Sequence, residues 1–121
     1  MAVINGNATN QTLYGGSSAD TISGLAGDDV IYAGAGNDLI IGGIGNDELW
    51  GMEGADTFQF STGDGNDTLY TYANNDIGGT DVVQFTNVAS TTVTLRRRDL
   101  DVELSYSGGV LTFGNQGIRQ V

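Results

Sequence analysis

The chain has 121 residues, a length typical of a single domain, and its formal net charge is −11. It contains no Cys and no His, which excludes a disulfide framework and the usual zinc and haem sites. Residues 1–95 contain no Lys or Arg, whereas ten carboxylates lie between Asp20 and Asp67. Such a segment repels itself, so it is either disordered, as many Gly-rich acidic chains are, or neutralised by bound cations.

A nine-residue phrase repeats five times without a gap, and this strict period argues against disorder. The copies read GGSSADTIS, GLAGDDVIY, AGAGNDLII, GGIGNDELW and GMEGADTFQ. Position six of each copy is acidic: Asp20, Asp29, Asp38, Asp47 and Asp56. Position eight is large and apolar: Ile22, Ile31, Ile40, Leu49 and Phe58. The chain therefore alternates a Gly-rich acidic turn with a short apolar segment.

The register extends weakly in both directions. Residues 6–14 keep Gly and Leu in place but carry Gln11 at the acidic position. After the fifth copy, a two-residue insertion, Phe60 and Ser61, precedes residues 62–70, which restore Asp67 and Leu69 to their positions. We expect the array to weaken at Gln11 and at the insertion.

Each copy predicts one turn and one short strand. Gly permits tight turns, and the last three residues of a copy alternate outward, inward and outward as a strand does. Two copies, eighteen residues, then make one coil, so that strands eighteen residues apart stack as parallel neighbours. Position eight fills a narrow core between two sheets.

Beyond Tyr70 the pattern changes. Residues 81–86, 91–96, 101–106 and 110–113 are predicted strands, and residues 74–80 and 107–109 are predicted turns. We expect one or two antiparallel hairpins here, closing the end of the coil. No segment has the pattern of a helix or the length of a membrane span.

Calcium takes six to eight oxygen ligands, and one turn offers too few. Two turns eighteen residues apart offer enough, which pairs Asp20 with Asp38 and Asp38 with Asp56 on one edge. The other edge pairs Asp29 with Asp47, and Asp47 with Asp67 if the insertion is absorbed. Gln11 with Asp29 would make a weaker fifth site. The spacing predicts about four Ca²⁺ ions, whose charge would offset most of the net charge of −11.

The phrase GGIGNDELW and its variants resemble the nonapeptide of the haemolysin-type, or RTX (repeats-in-toxin), calcium-binding family. The resemblance covers residues 6–70, and residues 71–121 are more loosely similar to the segment that follows such repeats. It implies an all-β fold: a parallel β-roll, or right-handed β-solenoid, with a C-terminal antiparallel β cap. We divide the chain into a degenerate entry repeat at 1–14, a calcium-binding roll at 15–70 and a cap at 71–121, which we expect to be truncated.

The resemblance also implies the ligands. Each ion would be bound by the backbone carbonyls of positions two and four and the Asp of one turn. The backbone carbonyls of positions one and three and the Asp of the turn eighteen residues later would complete the site. One edge would use Gly16, Ser18, Asp20, Ala33, Ala35 and Asp38, then Gly34, Gly36, Asp38, Gly51, Glu53 and Asp56. The other would use Leu25, Gly27, Asp29, Gly42, Ile44 and Asp47, then Gly43, Gly45, Asp47, Thr62, Asp64 and Asp67.

Two surface features are open to a functional interpretation. Tyr14, Tyr32 and Trp50, with Tyr70 next, are predicted to form an exposed ladder that either binds sugar rings or is covered by other protein. Arg96, Arg97 and Arg98 either bind an anionic polysaccharide or form a hairpin turn and pair with nearby acids. An acidic chain is not expected to bind nucleic acid.

The resemblance implies a non-enzymatic module of a larger exported bacterial protein, folding on calcium outside the cell after type I secretion. Without His or Cys, the Ser residues have no usual activating base, which agrees with the absence of catalysis. The alternatives are a polysaccharide-binding module of a secreted enzyme and a structural segment of an adhesin.

Overall fold

The structure, a computed structural model, describes residues 2–61, 64–70, 82–86, 94–98, 101–106 and 109–113. These residues form strands and turns, and none of them lies in a helix that could cross a membrane. The strands of the repeat region are β1 (Val3–Asn5), β2 (Thr12–Tyr14), β3 (Thr21–Ser23), β4 (Val30–Tyr32), β5 (Leu39–Ile41), β6 (Glu48–Trp50), β7 (Thr57–Ser61) and β8 (Asp67–Tyr70). They are followed by β9 (Val82–Thr86), β10 (Thr94–Arg98), β11 (Asp101–Tyr106) and β12 (Gly109–Phe113).

Successive strands of the repeat region alternate between two parallel sheets. One sheet has the order β1-β3-β5-β7-β9, and the other contains β8-β6-β4-β2. Ile22 pairs with Ile40, and Ile40 with Phe58, so neighbours in a sheet are eighteen residues apart. The predicted coil of two nonapeptides, and with it the parallel β-solenoid, is confirmed.

The core is a single column of side chains between the sheets. Each repeat contributes its position-eight residue, and these side chains are fully buried: Ile22, Ile31, Ile40, Leu49, Phe58 and Leu69. Their equivalents in the first coil, Ile4 and Leu13, are only partly buried. Burial of one such side chain stabilises a fold by roughly 1.5–3 kcal/mol. Ala33 and Phe60 are the other buried apolar residues in the described part of the chain, so the core is small and the turns must contribute to stability.

The insertion of Phe60 and Ser61 is absorbed by lengthening one strand. β7 continues for two more residues with the same alternation, which places Phe60 in the core at 1% exposure. The ring of Phe60 meets that of Phe85 in β9, with 6.1 Å between ring centroids. Beyond the insertion, Leu69 pairs with Leu49 as the repeat demands. The expected weakening of the array at this point is therefore not seen in the strand register.

Two strands extend the solenoid beyond the predicted repeats. β1 was not foreseen, and it pairs in parallel with β3. β9 was foreseen as a strand of a hairpin, but it pairs in parallel with β7, Phe58 lying opposite Val83. That part of the hairpin prediction is wrong, because the lengthened β7 offers a five-residue edge on which β9 continues the sheet.

The antiparallel cap is confirmed for the last three strands. β10 pairs with β11 and β11 with β12, both antiparallel, and β12 joins β8 in parallel. Arg96, Arg97 and Arg98 lie in β10 itself, so the interpretation of this triplet as a turn is wrong. β12 begins at Gly109, which was predicted to belong to a turn. The predicted turn at 74–80 and residues 91–93 lie outside the described residues.

Candidate metal centres in the turns

The position-six Asp residues form two hydrogen-bonded ladders along the edges of the roll. In each rung, Oδ1 accepts the backbone N–H of the equivalent residue one coil earlier, at 2.7–3.0 Å. On one edge, the N–H groups of Gln11, Asp29 and Asp47 donate to Asp29, Asp47 and Asp67 respectively. On the other edge, the N–H groups of Asp20 and Asp38 donate to Asp38 and Asp56 respectively. The insertion does not break the ladder, since Asp47 donates to Asp67 at 2.8 Å across twenty residues.

The second oxygen of four of these carboxylates is buried. Among the described residues, nothing donates a hydrogen bond to Oδ2 of Asp29, Asp38, Asp47 or Asp67. Burial raises the pKa of Asp38 to about 6, and it also raises the pKa of Asp29, Asp47 and Asp67. A buried charged oxygen is costly unless it is compensated, which is the environment that a bound cation resolves.

At position one, Gly24, Gly42 and Gly51 each have the carboxylate of their own turn lying against them, whereas the third copy has Ala33 there. Oδ2 of Asp29 is so close to the Cα of Gly24 that a β-carbon there would overlap it. Asp47 lies at 2.5 Å from the corresponding β-carbon position of Gly42. Gly42 was expected to contribute its carbonyl to a calcium site, and the contact with the carboxylate is a second constraint that depends on where the carboxylate points.

The turn backbone brings together carbonyls of successive coils. Gly43 and Gly45, at positions two and four, have φ values of 88° and 124°. Their Cα atoms lie against the carbonyl oxygens of Leu25 and Gly27, one coil earlier. The Leu25 carbonyl accepts the N–H of Ile44 at 2.8 Å, and a carbonyl oxygen keeps a second lone pair for a cation.

The donor set fits calcium rather than a metal held by side chains alone. Within the described part of the chain, no three Asp or Glu side chains converge on one point that could hold an ion. Each pair of turns brings two Asp residues together, so carbonyl oxygens must complete the shell, as calcium allows. Asp29 with Asp47, Asp47 with Asp67 and Asp38 with Asp56 would hold the ions.

Among the expected carbonyl ligands, Thr62 lies outside the described residues, and the carbonyl of Asp64 accepts the N–H of Gly45 at 3.0 Å. Glu53 is exposed, which does not bear on the backbone carbonyl that was expected to bind. Asp64 is buried, its Oδ2 accepts the N–H of Ser61 at 2.7 Å, and burial raises its pKa. Asp20 differs from the other ladder residues, because the N–H groups of Gly16 and then Ala2 lower the pKa of its carboxyl.

Position five was missed by the sequence analysis. Its Asn or Asp side chain accepts the backbone N–H of position five in the next coil at 2.7–2.9 Å, a direction opposite to that of the Asp ladder. The accepting residues are Asn10, Asp28, Asn37 and Asn46. The signal was visible, since an Asx residue precedes the repeat Asp in four of the nonapeptides. Neighbouring turns are thus joined by opposed side-chain hydrogen bonds that need no metal.

A family model agrees with this geometry. The model of the RTX calcium-binding nonapeptide repeat, with four copies, matches residues 5–40, 33–64 and 59–77, more than half of the chain. The chain belongs to the RTX calcium-binding repeat family. An RTX β-roll binds calcium, is typical of secreted proteins and occurs as a module of larger proteins. No characterised protein matches the chain when whole sequences are compared.

Two solved structures share the fold of this RTX chain. The extracellular lipase LipA from Serratia marcescens superposes with a TM-score of 0.67 and 24% identity over 92% of the chain. The chain spans only 18% of the length of that lipase. The AlgE6R3 subunit of the Azotobacter vinelandii mannuronan C5-epimerase superposes with a TM-score of 0.63 and 23% identity, covering 89% of this chain and 72% of its own.

The aromatic ladder is present on the outer face of the second sheet. Tyr14 stacks on Tyr32 and Tyr32 on Trp50, with 5.4 and 5.9 Å between ring centroids and interplanar angles of 14° and 25°. Trp50 stacks on Tyr70 at 3.9 Å and 9°, and its Nε1–H donates to Glu48 at 2.8 Å. The faces of the inner rings are therefore covered by one another.

The Arg triplet lies far along the chain from this ladder, in β10. In the strand register, Arg96 stands opposite Glu103 and Arg98 opposite Asp101. Opposite charges at facing positions of an antiparallel pair stabilise that pair. Arg97 stands opposite Val102, so the register places two of the three arginines opposite acidic residues.

Proposed function

We propose that this chain is a calcium-dependent folding module of a larger exported protein and has no catalytic role of its own. The observation that carries the proposal is the set of buried Oδ2 atoms of Asp29, Asp38, Asp47 and Asp67, which have no donor among the described residues. Two such carboxylates in adjacent turns repel one another, and their burial costs free energy that a divalent cation offsets.

The charge distribution makes folding depend on the ion. No Lys or Arg precedes Arg96, so the chain supplies no cation to the turns from its first 95 residues. A ligand that binds only the folded form stabilises it by mass action. By the precedent of extracellular calcium modules, we expect dissociation constants of roughly 10⁻⁴–10⁻³ M.

With such affinities, the chain would fold only in a compartment where the calcium concentration is high. In a calcium-poor cytosol, the self-repelling turns would keep the chain loose enough for export through a type I secretion apparatus. Outside the cell, calcium would fold it and stabilise the parent protein to which it is attached. The similarity to a segment of an extracellular lipase agrees with this arrangement.

Circular dichroism tests the proposal directly. The chain in EGTA should give a largely disordered spectrum, and added CaCl₂ should convert it cooperatively to β-structure with a midpoint near the millimolar range. MgCl₂ at the same ionic strength is the control, because Mg²⁺ demands a stricter octahedral shell. A chain that is fully folded in EGTA and unchanged by calcium would refute the proposal.

The alternative, a polysaccharide-binding module, is less well supported by the ladder. Sugar rings stack on open aromatic faces, whereas Tyr32 lies between two other rings. Tyr14 is 67% exposed and is the end of the ladder. Affinity electrophoresis in calcium, with polymannuronate and with dextran, separates the alternatives. Retardation of the wild type that is lost in Tyr14→Ala would favour binding, and equal mobility in all gels would eliminate it.

A further inference from the structure

Both edges of the roll begin with a turn that is closed by the protein itself. Oε1 of Gln11 accepts the backbone N–H of Asn7 at 2.7 Å. Oδ2 of Asp20 accepts the backbone N–H of Gly16 at 2.8 Å, again four residues earlier. The corresponding oxygen of Asp29, Asp38 and Asp47 accepts no hydrogen bond from the described residues. Gln11 and Asp20 therefore resemble each other more than Asp20 resembles the later Asp residues.

The backbone of these two turns differs in the same way. The turns that start at Gly24, Ala33, Gly42 and Gly51 each have positive φ at positions two and four. No residue of the described turns at 6–11 and 15–20 has a positive φ. Ser18 replaces the Gly of position four, and a β-carbon disfavours that conformation. The first two turns thus differ from the later ones in backbone φ, although the carbonyls of Asn7 and Gly16 still accept the N–H of position three in the next coil, at 3.4 and 3.1 Å.

We infer that the Asp20–Asp38 pair is not a calcium site, and that the Asn7–Gln11 and Gly16–Asp20 turns close the two edges without metal. This inference rests on the proposed function. It corrects the ligand set that the family implies at this point, since Oδ1 of Asp20 accepts the N–H of Ala2 at 2.9 Å and Oδ2 that of Gly16. Within the described turns, calcium is then held by the pairs Asp38–Asp56, Asp29–Asp47 and Asp47–Asp67.

A metal-independent first coil has a physical use. The end of a solenoid exposes unpaired backbone groups, and its polar atoms have no next coil to contact them. In the first coil, the side-chain oxygens of Gln11 and Asp20 are instead occupied by N–H groups of their own turns. The strands can then begin one coil earlier in the chain than the bound ions do.

Calcium stoichiometry tests the inference with two matched variants. Asp20→Asn and Asp29→Asn each neutralise one carboxylate that belongs to a single pair of acidic turns. Equilibrium dialysis with ⁴⁵Ca should give the same number of ions for wild type and Asp20→Asn, and one fewer for Asp29→Asn. Loss of an ion in Asp20→Asn as well would overturn the inference. A wild-type chain that binds no calcium would instead refute the proposed function.

Thermal unfolding separates a folding defect from a binding defect. Asp20→Asn should lower the Tm by the same amount at two saturating calcium concentrations tenfold apart, because it weakens a hydrogen bond and not a calcium site. The Tm of Asp29→Asn should respond to the calcium concentration less steeply than the Tm of wild type does. Asp20→Gln, which copies the Gln11 arrangement, should retain the wild-type stoichiometry. A calcium dependence of Tm in Asp20→Asn that is as shallow as in Asp29→Asn would also overturn the inference.

Discussion

The backbone N–H of Asp29 donates a 2.8 Å hydrogen bond to Oδ1 of Asp47, eighteen residues later and one coil away. Oδ2 of the same Asp47 carboxylate is buried and accepts no hydrogen bond from the described residues. One carboxylate oxygen thus joins two coils, and the other is left for a cation. The N–H of Asp47 in turn donates to Asp67 at 2.8 Å, so Asp47 belongs to two adjacent pairs of Asp residues.

Asp47→Asn should weaken calcium-induced folding more than Asp29→Asn does. Asp47 takes part in two carboxylate pairs and Asp29 in one, and calcium affinity follows the number of charged ligands. The measurement is the calcium midpoint of the far-ultraviolet circular dichroism signal. Equal midpoints for the two variants would contradict the sharing of Asp47.

Without calcium, the folded form should be more stable at pH 5 than at pH 7.5. Burial raises the pKa of Asp38 to about 6, above the unfolded value near 4. A raised carboxyl pKa means that the folded state binds more protons, so its stability falls as the pH rises between about 4 and 6. The pKa of Asp20 is lowered, so its contribution to the stability of the folded form is lost as the pH falls, but only below about pH 4. Far-ultraviolet circular dichroism of the chain in EGTA measures the difference: the content of β-structure should be higher at pH 5 than at pH 7.5, and the reverse order would contradict it.

The calcium midpoint should shift in the opposite direction, being higher at pH 5 than at pH 7.5. Protons and calcium compete for the same buried carboxylates, whose pKa values are raised by desolvation. Isothermal titration calorimetry in buffers of different ionisation enthalpy should show proton release on binding at pH 5–6. A midpoint independent of pH would place the ions on other groups.

Ile40→Ala should cost about 2–5 kcal/mol in saturating calcium, as large-to-small changes in a packed core do. Ile40 is fully buried in the centre of the column. Ile44→Ala is the matched control, because Ile44 is 64% exposed and should lose less than about 0.5 kcal/mol. Urea unfolding of both variants gives the difference. Similar losses would mean that position three is buried in the folded protein.

Leu25→Gly should stabilise the protein by about 0.5–1 kcal/mol. Leu25 has a φ of 73°, a left-handed conformation that costs a residue with a β-carbon about 1–2 kcal/mol. Its side chain is 48% exposed, so little packing is lost, and the flexibility of Gly offsets only part of the gain. Ile44→Gly, at a position without positive φ, should destabilise. A lower Tm for Leu25→Gly would show that its side chain contributes more than the strain costs.

Much of this architecture was readable from period alone. The recurrence of Asp every nine residues fixes two acidic edges, and the position-eight residues fix the core, because a coil of eighteen residues brings equivalent positions into contact. The aromatic ladder followed from the same arithmetic, since Tyr14, Tyr32 and Trp50 differ by eighteen. Local repetition is a strong signal when each unit contacts only its neighbours.

What the period could not decide is how each carboxylate is used and where the chain leaves the repeat. The sequence places Asp20 and Asp29 in equivalent positions, yet both oxygens of Asp20 accept backbone N–H groups, while Oδ2 of Asp29 accepts none from the part of the chain that the structure describes. That distinction depends on the φ values of the preceding turn and on contacts with residues a coil away. Phe60 and Ser61 looked like an interruption, and burial of Phe60 beside Phe85 made them an extension of β7. The sequence thus determined the repeating unit, whereas tertiary contacts decided its exceptions, because an exception depends on which atoms of the neighbouring coil are within reach.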